Sequence, residues 1–146
     1  MSDASYLVDN NALNTLTRRR VETKFFAAHC RITSDVLWEA RGRAEQAELS
    51  NVTLAVEPAV FTELRRVMGT VAVGDVRLVD LFRNKGSADP GLIATILLSD
   101  EAEDGMLLRT NWILVTDDGA VAEKAAALGV KTWPSVKLRN LIDGAD

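Results

Sequence analysis

The chain has 146 residues, 47% apolar and 26% charged, with 21 acids against 17 bases and a formal charge of −4. That is the size of one domain with a sizeable buried core, and no apolar run reaches the roughly 20 residues of a membrane span. A single cysteine and a single histidine, Cys30 beside His29, rule out an internal disulfide and argue against a thiolate zinc site or a Cys-His nucleophile. The opening Met-Ser-Asp-Ala-Ser lacks the basic and apolar regions of a signal peptide, so one cytoplasmic domain over residues 1–146 is expected.

In chain order, Ser5 to Asp9 reads as a buried strand, followed by Asn10-Asn11 opening a helix with Ala12, Leu13 and Leu16 inward. A helix from Val21 to Ala28 turns Phe25 and Phe26 to the core. Cys30-Arg31-Ile32 is a short strand, and Thr33-Ser34-Asp35 caps a helix whose stripe is Val36, Leu37, Ala40, Ala44 and Ala47. Glu39 borders that stripe, where an acid loses hydration unless a cation meets it. Pro58 starts a helix through Met68, Val76 to Val79 gives a strand, and Asn84 to Ala88 a loop. Ser87 or Asp89 caps a helix carrying Leu92, Ile93, Ile96 and Leu97. Trp112 to Val115 is a strand ending in Thr116-Asp117-Asp118, and the next helix closes at Gly129. Val130-Lys131-Thr132 is the last strand, and Pro134 starts the last helix.

Strands alternating with helices predict an α/β fold: three layers, α/β/α, around a parallel sheet of about five strands. Ligands of such sheets bind beyond the carboxyl ends of the strands, where two strands here deliver acids. Like charges about 4 Å apart repel by roughly 4 kcal/mol at an effective dielectric near 20, so clustered carboxylates call for a cation or a shared proton. Setting four acids aside for such a site leaves the rest of the charge balanced. The bases come in groups: Arg18-Arg19-Arg20 with Lys24, Arg41 and Arg43, Arg65-Arg66, and Arg83 with Lys85. Together these groups suit a phosphate backbone, and singly each suits a solvated surface.

Four segments then stand in order: Leu7-Val8-Asp9-Asn10-Asn11, Ile32 to Glu39, Ala88-Asp89-Pro90-Gly91-Leu92, and Leu114-Val115-Thr116-Asp117-Asp118. In these the chain resembles the PIN-domain family, and within it the single-domain VapC-type toxin ribonucleases. The chain departs from the family at Asn10, where Thr or Ser is usual, at Pro90-Gly91, and in a longer interval between Asp89 and Asp118. The resemblance implies a metal-dependent endoribonuclease in which Asp9, Glu39, Asp89 and Asp118 hold one or two Mg²⁺ or Mn²⁺ ions and act in catalysis. Asn11, Thr116 and Asp117 would support them. It also implies an RNA substrate, a small antitoxin partner and a homodimer. Carboxylates suit those cations independently.

Each acid has a structural reading too. Asp9 and Asp89 can be N-caps, Asp117-Asp118 can end a strand in a turn, and Glu39 can pair with Arg43. A haloacid-dehalogenase-type phosphatase would need an acid where Asn11 stands, and a receiver domain is matched only by Asp80 and Lys131. The alternative of another class is a PIN-like module that binds RNA or protein with little or no cleavage.

Overall fold

The computed structural model describes residues 4–54, 92–93, 95–97 and 110–145. Its centre is a parallel five-stranded sheet. The strands are β1 (Ala4–Val8), β2 (Cys30–Thr33), β3 (Thr53–Leu54), β4 (Asn111–Val115) and β5 (Lys131–Trp133). They lie side by side in the order β3-β2-β1-β4-β5. Helices flank the sheet: α1 (Asn10–Thr15), α2 (Arg18–Val21), α3 (Lys24–His29), α4 (Ser34–Glu39), α5 (Gln46–Asn51), α6 (Gly119–Ala127) and α7 (Ser135–Gly144). The result is the expected three-layer α/β/α arrangement. Among the described residues no helix is long and apolar enough to cross a membrane.

The central strands read as unbroken apolar runs because a parallel sheet is covered on both faces. Tyr6, Leu7 and Val8 of β1 and Ile113, Leu114 and Val115 of β4 are all buried. Their register pairs Val8 with Val115, so both strands deliver their next residues to the same edge at the same level. Phe26, Leu49, Leu138 and Ile142 close the core from the helices, and Leu92, Ile93 and Ile96 fill it at the spacing that predicted a helix there. A tilted row of rings runs from Trp133 to Tyr6, to Phe25 and on to His29, with neighbouring centroids 5.0, 6.2 and 4.7 Å apart.

Several boundaries differ from expectation, each for a local reason. The helix foreseen from Val21 to Ala28 starts only at Lys24, because the Thr23 hydroxyl accepts from Phe26 N–H and donates to Arg20 C=O, ending α2 and capping α3. The helix foreseen through Ala47 stops at Glu39. Gly42, at φ 90°, turns the chain in a left-handed conformation that an alanine would resist. Ala44 and Ala47 are consequently exposed, and Glu45 is buried at 4% exposure. Arg43 compensates that carboxylate through its Nε at 2.6 Å and also donates to Asn14 Oδ1 at 3.1 Å. The two-residue β3 was not foreseen at all. The helix from Pro58, the strand from Val76 and the loop at Asn84 lie outside the described residues.

Each arginine of the basic run of α2 has a carboxylate partner. Arg20 makes a two-pronged contact with Asp143 of α7, both bonds 2.9 Å, and Arg18 pairs with Glu22. Arg19 also reaches Asp143, at 3.4 Å. The Arg20 hydrogen bond, more than any other influence, holds the Asp143 carboxyl below its ordinary range.

Candidate functional site

Along the sheet, β1, β2 and β3 step one way and β4 and β5 the other, so the strand order reverses between β1 and β4. A crevice opens at such a reversal because the connections leave towards opposite sides, and it is where open α/β sheets place their ligands. Asp9 follows β1 there, and Thr116-Asp117-Asp118 follows β4.

Asp9 is fully buried, at 0% exposure. Its backbone N–H donates to Val115 C=O at 3.1 Å, which carries the β1–β4 ladder one residue past the strand. Its Oδ1 accepts from Ala12 N–H at 2.7 Å, capping α1. Its Oδ2 accepts from the hydroxyl of Thr116, itself buried. That hydroxyl in turn accepts from Asp118 N–H at 3.1 Å. Asp9, Thr116 and Asp118 therefore form one chain of hydrogen bonds across the reversal point, and charge-assisted donors of this kind offset the loss of water around a buried carboxylate.

The two acids of β4 part company. Asp118 caps α6 with Oδ1 alone, accepting from Ala120 and Val121 N–H at 2.9 and 3.1 Å. Its Oδ2 accepts no hydrogen bond among the described residues. Asp117 is spent on the start of α7: Oδ1 accepts from Ser135 N–H at 2.8 Å and Oδ2 from the Ser135 hydroxyl at 2.6 Å. Pro134 leaves the N-cap of α7 without a side-chain acceptor, and Asp117 supplies that end with a carboxylate. No spacing rule links Asp117 with Ser135, 18 residues on, so this role was invisible in the sequence.

Glu39 is the last residue of α4, the helix that leaves the same sheet edge after β2. It is half-buried, with Oε1 shut off from solvent. Asn11 lies half-buried in the first turn of α1. Beside it, Asn10 Oδ1 is enclosed with no hydrogen-bond partner among the described residues. Asp89 lies outside the described residues. Among those described, no three His, Cys, Asp or Glu side chains converge as a metal would require. The structure thus joins Asp9 and Asp118 through Thr116 and sets Glu39 on the helix beyond the same edge.

Cys30 and His29 are placed as structural groups. The thiol is fully enclosed at the start of β2, and burial pushes it up to about 12 despite Arg31 nearby. The imidazole packs on Phe25 at the end of α3. No family model matches the chain, and no curated protein matches it in sequence.

Proposed function

We propose that this chain is a metal-dependent endoribonuclease of the PIN-like type, the toxin of a toxin–antitoxin pair. The observation that carries the reading is the buried Asp9 linked through Thr116 to Asp118 at the point where the strand order reverses. Asp118 keeps one carboxylate oxygen outside its capping bonds, and all donors are oxygens, the set that Mg²⁺ and Mn²⁺ prefer. In this reading Asp9, Glu39, Asp89 and Asp118 hold the cation. When bound, such a cation neutralises charge on a phosphodiester and acidifies a water. The protein's own part is positional. The α1 N-terminus and the Thr116 hydroxyl fix the Asp9 carboxylate, the α6 N-terminus fixes Asp118, and Asn11, two residues after Asp9 in the first turn of α1, orients substrate or water.

Asp9→Asn tests the assignment. It keeps an N-capping side chain but removes the charge, so Mn²⁺-dependent cleavage of single-stranded RNA should fall by at least a hundredfold. Undiminished cleavage would sink it.

The second reading, a PIN-like module that binds RNA or protein without cutting, draws on the internal hydrogen bonds that take both Asp9 oxygens. Calorimetric titration with Mn²⁺ beside the cleavage assay separates the two: a nuclease binds the ion and cuts, and the module does neither.

A further inference from the structure

Trp38 is the most exposed of the large apolar side chains among the described residues, at 66%, and it stands on α4 immediately before Glu39. Its ring is held in place nonetheless. The Arg41 guanidinium carbon lies 4.0 Å from the ring centroid, and Arg41 Nη1 donates to the Trp38 carbonyl at 2.8 Å. An indole with one face under a cation and most of its area in solvent has its other face to offer. Arginine carries five N–H donors in a planar fork, of which this contact uses one, so the guanidinium retains donors for an anion. The other exposed large apolar side chains among the described residues, Val136 and Leu141, lie on α7, while α4 packs on β2, β3 and α5. Among the described residues, Trp38 is therefore the exposed large apolar side chain of α4, and it stands beside a cation.

We propose that Trp38 and Arg41 form a stacking platform for single-stranded RNA, the indole taking one base and the guanidinium the adjoining phosphate. The proposal rests on the RNA-cleaving reading and deepens it: strand enters over α4, and the base on Trp38 sets which phosphodiester is presented beside Glu39. Aromatic stacking accepts any base, so the platform favours unpaired RNA without specifying a sequence.

Anisotropy of a labelled twelve-residue oligouridylate, measured in EDTA to prevent cutting, tests it on the full chain. Trp38→Ala should weaken binding about tenfold, Trp38→Phe by less, and Arg41→Ala should lower the salt dependence by about one phosphate contact. Duplex RNA should not sense Trp38. With Mn²⁺ present, Trp38→Ala should raise KM and spread cutting over more phosphodiesters of the oligouridylate, a change that a misfolded variant would not give. No binding by the wild type, equal affinity in Trp38→Ala, or an equal loss on duplex would overturn the platform. So would a fall in molar mass by light scattering on Trp38→Ala, which would assign the ring to contact with a second copy. Trp38-dependent binding without Mn²⁺-dependent cutting would keep the platform and remove the nuclease reading; cutting that ignores Trp38 would do the reverse.

Discussion

The hydroxyl of Thr116 donates to Asp9 and accepts from the Asp118 backbone, so one small side chain aligns two acids from different strands. Thr116→Val keeps the shape and takes both bonds away. Withdrawing a donor from a buried carboxylate costs about 1–3 kcal/mol, which urea denaturation should register, and Thr116→Ser should recover most of it. If Asp9 and Asp118 act together, cleavage should fall in the valine variant and return in the serine variant. At this scale the sequence was legible where placement follows from the apolar runs: Asp9 and the pair Asp117-Asp118 follow β1 and β4, while only the resemblance to the PIN-domain family separates Asp118 from Asp117. It was silent on Asp117, whose partner Ser135 is set by how α7 meets the sheet, and on Glu45, whose burial depends on a bend at Gly42.

Helix α6 is bounded by two devices that differ in what they tolerate. At its start Asp118 is both the N-cap and a candidate ligand, and substitution can part the roles. Asparagine caps as well as aspartate, whereas alanine loses about 1 kcal/mol. Asp118→Asn should therefore hold its denaturation midpoint near wild type, Asp118→Ala should lose stability, and both should lose Mn²⁺ affinity and cleavage alike. Full cleavage by Asp118→Asn would reduce Asp118 to a cap. At its end Gly129, at φ 81°, donates to Ala126 C=O at 3.0 Å, and Val130 donates to Ala125 C=O at 2.9 Å. This paired closure tucks Val130 into the core, and it is why the Gly129 stop was readable from sequence. Elements long enough to show a period, or marked by Gly, Pro or a capping side chain, were foreseen. Two-residue β3 has no period to show, and the alanine stripe after Ala40 imitated a helix because alanine is small enough for either environment.

For the molecule as a whole, the enclosed thiol of Cys30 ties stability to alkaline pH. The unfolded thiol ionises near pH 8.5, while the folded one holds its proton to about 12. The folded state therefore binds more protons across that interval, and stability present below it drains away as pH rises, by at most roughly 1.4 kcal/mol per unit. Tyr6, raised by its own burial and then by Cys30, adds to the same limb. Urea midpoints followed from pH 7.5 to 10.5 should fall, and Cys30→Ala should flatten the slope even if its starting stability is lower. The order of the strands has a consequence in time as well. Asp9 and its Thr116 partner are 107 residues apart in the chain, so at 5–20 residues per second a ribosome needs roughly 5–20 s to make the second after the first. Until then β1 has no β4 beside it and remains a bare, apolar edge. The nascent chain thus passes through synthesis with the Asp9–Thr116 pair unformed and depends on protection from aggregation during the same seconds; on the proposed nuclease reading it would also be harmless to nearby RNA until β4 is made.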